Sequence, residues 1–180
     1  MIDKHAGTVL LDRDGIINRM RVDYVKRWEE LELVPGSLDA VARLSAAGRE
    51  VIIVTNQSAI GRGLVSVQTV DEIHRRLADA IRERGGSVRA FLVCPHTPMD
   101  GCDCRKPRPG LLLRARDELG VDLGRAVMIG DQLTDVAAAR AVGCAAILVD
   151  ADHDSDAAAD PDCTVVRSLD EAIDLILGDA

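Results

Sequence analysis

Five stretches of the chain are apolar at nearly every position: TVLLD at 8–12, EVIIVT at 50–55, AFLVC at 90–94, AVMIG at 126–130 and AAILVD at 145–150. A strand with one face in water would alternate apolar and polar residues, so runs like these must be covered on both faces. That is the condition of a parallel sheet between two layers of helices. A weaker run, TVV at 164–166, is a candidate sixth strand.

Between the runs the apolar spacing changes to that of helices. Leu38, Val41, Ala42 and Leu44 follow the turn signal PGS at 35–37 and stop before Gly48. Val70, Ile73, Leu77 and Ile81 follow Thr69, which with Glu72 reads as a capping box, and Ser66 offers an earlier start. Pro109 opens LLLRARDEL, which ends before Gly120, and Ser168 with Glu171 caps AIDLIL. Strand and helix therefore alternate without a repeat or linker. The expected architecture is a three-layer, doubly wound, Rossmann-like α/β domain over residues 1–180. DADHDSDAAADPD at 150–162 reads as a solvated loop.

Cysteine placement is the second constraint. Cys94, His96, Cys102 and Cys104 form a C-x-H-x5-C-x-C set, and two short ligand pairs joined by five residues can close around one ion. Three thiolates and an imidazole suit tetrahedral zinc, with no coordination position left for water, so a structural role is expected. Cys144 and Cys163 lack such neighbours. A disulfide framework does not fit this spacing, which points to a reducing compartment. The start MIDKHAG has neither the basic nor the apolar region of a signal peptide, and no run approaches the roughly 20 apolar residues of a membrane span. A cytoplasmic monomer without membrane contact is expected. The net charge of −8 argues against nucleic-acid partners and confines any anion site to a local cationic cluster.

Ligands of a doubly wound sheet bind beyond the carboxyl ends of its strands. Here those ends are polar: Asp12 and Asp14 in DRDG, Thr55 in TNQS, Asp131 and Asp135 in GDQLTD, with Lys106 after the third strand and the cysteine cluster. Each alone has a bland reading as a cap or a solvated charge. Their recurrence at successive strand ends points to one functional site at the mouth of the sheet.

Taken in order, LLDRDG, VTNQS, RKP and IGDQLTD resemble the haloacid dehalogenase-like phosphatases along nearly the whole chain. The resemblance implies that Asp12 is a nucleophile forming an aspartyl phosphate and that Asp14 is the acid and then the base. It also implies magnesium held by Asp12, the Asp14 backbone carbonyl and Asp131, with Lys106 and Thr55 around the phosphoryl group. Asp135 would support the loop or a metal-bound water. CPH followed by CDCRKP narrows the resemblance to two branches, the heptose bisphosphate phosphatases and the histidinol-phosphate phosphatases. VTNQSAIGRGL, and Asn18, Tyr24 and Val25 leading to ELVPG, are similar to the heptose branch, whose substrate is a small phosphorylated sugar losing its 7-phosphate.

No separate cap domain fits the spacing, so loops must shape the entrance: residues 18–30, the GRG segment at 61–63, and 94–104. Asn56, Arg62, Arg105 and Gln132 are the expected substrate contacts. A DNA 3′-phosphatase would be expected to show a basic track, and a purely structural zinc module would have no use for the aspartates and Lys106 together.

Overall fold

The structure is a computed structural model and describes residues 7–150 and 163–178. All six apolar runs are strands: β1 Thr8–Leu11, β2 Glu50–Asn56, β3 Ala90–Cys94, β4 Ala126–Gly130, β5 Ala145–Val149 and β6 Thr164–Val166. They form one parallel sheet in the order β3-β2-β1-β4-β5-β6. Chain order reverses between β1 and β4, so a crevice opens beyond their carboxyl ends. The acidic segment expected as a loop falls, beyond Asp150, outside the described residues.

Alternate strand residues serve opposite faces. Val9, Leu11, Val51, Ile53, Val127 and Ile129 pack in one core with helices α1 (Ser37–Ala46), α3 (Val67–Glu83) and α6 (Leu169–Leu177). Leu10, Ile52, Val54 and Met128 pack in the other with α4 (Gly110–Leu119) and α5 (Leu133–Arg140). This double burial is why the strands lack an alternating pattern.

Helix α3 starts at Val67, because Ser66 rather than Thr69 is its cap: the Ser66 hydroxyl accepts from the Thr69 amide at 3.0 Å. Ser168 caps α6 as expected, accepting from the Glu171 amide at 3.2 Å. A four-residue helix, α2 (Ser58–Gly61), stands between β2 and α3. Loop residues Val25 and Leu31 pack on Ile73 of α3, with Trp28 and Leu33 around them, which anchors the long β1–α1 connection over the crevice.

Candidate active site

Asp12 leaves β1 at the crevice. Its amide donates to the Ile129 carbonyl at 2.9 Å, and its carboxylate accepts from the Arg13 amide at 2.7 Å. Lys106 enters from the opposite side. Its Nζ lies 3.0 Å from Asp12 Oδ1, 2.5 Å from Asp135 Oδ1 and 2.8 Å from the Val54 carbonyl. The Lys106 backbone is held in turn by Asn56, whose side-chain amide donates to its carbonyl and accepts from its amide, both at 3.2 Å.

Oxygens of Asp12, Asp131 and Asp135 all lie within 4.8 Å of one another. Burial pushes Asp12 up to about 6 despite Lys106, with Asp135 and Asp14 pushing the same way. Burial, with Asp12 beside it, pushes Asp131 up to about 6 as well. One ammonium does not offset three carboxylates, and Asp131 Oδ1 is buried without a hydrogen-bond partner. Hard oxygen donors in that state fit a hard divalent cation, which Asp12 and Asp131 could hold. Asp135 is committed elsewhere, to Lys106 and to the Gln132 amide, which it accepts at 3.1 Å.

Two glycines make this approach of carboxylates possible. Gly15 has φ +89°, and a Cβ there would collide with the Asp131 carboxylate. A Cβ on Gly130 would collide with the Asp135 side chain in the same way.

Asp14 is clamped separately. Its carboxylate accepts from Arg13 Nη2 at 2.8 and 2.9 Å, from Asn18 at 2.8 Å and from Gln57 at 2.6 Å. Burial would raise its pKa, but the Arg13 guanidinium and these hydrogen bonds outweigh it and hold the carboxyl below its ordinary value. Gln57 also donates to the buried Thr55 hydroxyl at 2.8 Å, so Thr55 is tied to the same cluster.

The crevice widens into a cleft of about 350 Å³. Asp12, Asp14 and Lys106 form its floor, and Asn56, Arg62, Arg105 and Gln132 all line it. The three expected loops meet here: Met20, Arg21 and Tyr24 from the first, Arg62 from the second and Pro98 from the third, with Arg105 directly after it. Arg62 lies over the Tyr24 ring at 5.9 Å from its centroid, and Arg105 donates to the His96 carbonyl at 3.2 Å. Gln132 is partly engaged already, donating to Asp131 Oδ2 at 3.2 Å.

Behind Arg105 the cysteine cluster is assembled. Cys94 Sγ is 3.7 Å from Cys102 Sγ and 3.2 Å from Cys104 Sγ, Cys104 is 3.5 Å from Cys102, and His96 Nδ1 is 3.7 and 3.2 Å from Cys94 and Cys104. Zinc–sulfur bonds of about 2.3 Å imply tetrahedral edges of roughly 3.8 Å, so the donor set is close to the size zinc requires. Burial and the neighbouring thiols push Cys94 up to about 12, a penalty that a cation bound to the thiolate would reverse.

Comparison with known proteins agrees with this geometry. A family model described as HAD-hydrolase-like matches residues 103–172. The D-glycero-beta-D-manno-heptose-1,7-bisphosphate 7-phosphatase of Pseudomonas aeruginosa is 46% identical over 141 residues, covering 78% of this chain and 79% of the relative. The chain belongs to the HAD-like hydrolase family. Another member, the D-glycero-alpha-D-manno-heptose-1,7-bisphosphate 7-phosphatase of Mycobacterium tuberculosis, is 41% identical over 147 residues, 79% of this chain and 76% of the relative. Among solved structures, the D,D-heptose 1,7-bisphosphate phosphatase of Bordetella bronchiseptica complexed with magnesium and phosphate superimposes with a TM-score of 0.87. It is 36% identical, and the match covers 96% of this chain and 99% of that one.

Within this HAD-like frame, the sequence motifs converge as their strand-end positions imply. Arg13, Gln57 and His74 are functional candidates that the sequence reading did not single out. Arg13 is 1% exposed although it is an arginine, and it links Asp14, Gln57 and His74. The signal available in the sequence was its position between two strand-end aspartates.

Proposed function

We propose that the protein is a magnesium-dependent phosphatase that removes the 7-phosphate of D-glycero-D-manno-heptose 1,7-bisphosphate through an aspartyl phosphate on Asp12. The observation that carries this reading is the pairing of Asp12 with Lys106 at 3.0 Å beneath a cleft rimmed by Arg62 and Arg105. A buried carboxylate with a fixed ammonium at its side can meet a phosphoryl group, and the rim arginines offer charge to a second phosphate. Names of the relatives support the same substrate class.

In the transfer step an Asp12 oxygen attacks phosphorus, the bond from phosphorus to the C7 oxygen breaks, and that oxygen takes a proton from Asp14. Water then attacks the aspartyl phosphate, the bond from phosphorus to Asp12 breaks, and Asp14 accepts the proton of the water. The proton gained in hydrolysis is the one delivered in the next transfer, so the cycle balances. Lys106 faces the oxygens on which charge develops. Asp12 and Asp131, with the Asp14 carbonyl, would hold magnesium, which offsets carboxylate charge against an incoming phosphate. Cys94, His96, Cys102 and Cys104 would hold a structural zinc that fixes the backbone carrying Arg105 and Lys106.

We read residues 1–180 as one domain acting as a cytoplasmic monomer. No helix among the described residues is long and apolar enough to cross a membrane. The deciding experiment measures phosphate release with magnesium from both anomers of the heptose bisphosphate, histidinol phosphate, fructose bisphosphate and a 3′-phosphorylated oligonucleotide. One heptose anomer should give the highest kcat/KM, and Asp12→Asn should reduce its turnover to background. A higher kcat/KM for histidinol phosphate overturns the substrate assignment, and retained activity in Asp12→Asn overturns the covalent route.

A further inference from the structure

His74 stands outside the cleft, on α3, and is 4% exposed. Its Nε2 is 3.0 Å from Arg13 Nη1. A guanidinium can only donate, so Nε2 must be the acceptor and the ring proton must sit on Nδ1. The ring is neutral in this environment: burial, with the Arg13 charge beside it, lowers its pKa to about 3. Its plane is fixed by stacking on Phe91 of β3, with centroids 4.5 Å apart and planes 13° from parallel. Neighbouring Ile73 and Leu77 are buried, which fixes that turn of the helix.

Arg13 needs an anchor of this kind. Its Nε is buried without a hydrogen-bond partner, so the inner end of the guanidinium does not set its orientation. On the outer end, Nη2 serves Asp14 and, at 3.1 Å, Gln57. Those two are bonded to each other and tied in turn to Asn18 and Thr55, so they hold the Nη2 side of the guanidinium and leave its Nη1 side to His74. His74 approaches from another element and a different nitrogen.

We infer that His74 is a positioning residue, which holds the Arg13 guanidinium and through it sets the Asp14 carboxylate to take a proton from the water that hydrolyses the aspartyl phosphate. The inference rests on the base role assigned to Asp14 above. Losing the anchor slows the second half of the cycle more than the first. It leaves the nucleophile and Lys106 untouched.

The test uses p-nitrophenyl phosphate, whose phenolate leaves without a proton, so that hydrolysis of the phosphoenzyme limits turnover. His74→Leu should lower kcat by about tenfold, lower KM in parallel, and release a burst of nitrophenolate close to one per active site. His74→Gln, which restores an oxygen acceptor, should stay within about threefold of the parent. Should the leucine variant fail to fold, His74→Met keeps a contact with Phe91 but offers only a weak acceptor, and the same burst is required of it. A variant with unchanged kcat, or one whose burst and rate fall together as in a partly inactive preparation, overturns the inference. Asp14→Asn separates the two levels of the argument. A burst there without one in His74→Leu rejects the role of His74 alone, and undiminished hydrolysis there rejects the base role of Asp14 and this inference with it.

Discussion

The Lys106 ammonium lies 3.0 Å from the Asp12 carboxylate, and the lysine side chain is 1% exposed. Such a pair is costly to break, because removing one member leaves an unmatched buried charge. Lys106→Met should therefore lose about 3–5 kcal/mol of stability in urea unfolding. It should also lose about 100-fold or more in kcat, the scale for removing one fixed donor from a developing oxyanion. If kcat persists in a folded Lys106→Met protein, the phosphoryl contact is wrong.

Asp12 and Asp131 give a pH signature to the metal-free protein. Both are raised from 3.8 to about 6 in the fold. The native state thus binds protons more tightly than the unfolded chain, and stability falls as pH rises from about 4 through about 6. Magnesium binds the ionised pair and should offset that loss, so its effect on Tm should be clearly larger near pH 7.5 than near pH 5. Equal shifts at the two pH values would count against these carboxylates as the ligands.

The cysteine cluster should hold about one zinc per chain, measured by metal analysis after dialysis. Cys102→Ser is the clean variant, because Cys94 is also part of the apolar core and its replacement would disturb packing. The serine variant should lose zinc, Tm and kcat/KM together. Reloading chelated wild-type protein should release protons, since thiols held neutral by burial must ionise to bind. Full activity without zinc would remove its role in fixing Arg105 and Lys106.

Arg105 lines the cleft while its guanidinium also donates to the His96 carbonyl, so its position is set by the cysteine loop. Arg105→Ala should raise KM for the heptose bisphosphate by about 10- to 100-fold, the equivalent of a charge-assisted contact of roughly 1.5–3 kcal/mol. For the 7-monophosphate of the same sugar KM should change little. An equal effect on both would place Arg105 away from the second phosphate.

How far the sequence could be read follows from how local each signal is. The strands were legible because burial on both faces leaves uninterrupted apolar runs, as in EVIIV, where Val51 to Val54 are at most 1% exposed. The carboxylates and Lys106 were legible because strand ends are where such a sheet places chemistry. Helix α2 was not, since four residues carry no periodicity. The sequence leaves the cap of α3 open between Ser66 and Thr69, because both suit the position and only the hydrogen bond decides for Ser66. The Asp14 clamp was hidden for another reason: Arg13 meets Gln57 and His74 across 44 and 61 residues, a relation that no local pattern records. Asn56, an expected substrate contact, lines the cleft, and that its amide also holds the Lys106 backbone is a relation across 50 residues that no local pattern records.

Gly15 and Gly130 leave the space that the Asp131 and Asp135 side chains fill. In a saturation-mutagenesis map the two glycines should therefore score like the aspartates beside them, alanine included, although neither has a group that could touch a substrate. At Gly130 a fold tolerant of alanine should return only in double variants that also shorten Asp135, whereas at Gly15 the φ of +89° keeps any side chain strained whatever faces it. Selection on activity would then tie each glycine to its aspartate as a unit, so that a lineage losing one has no reason to retain the other.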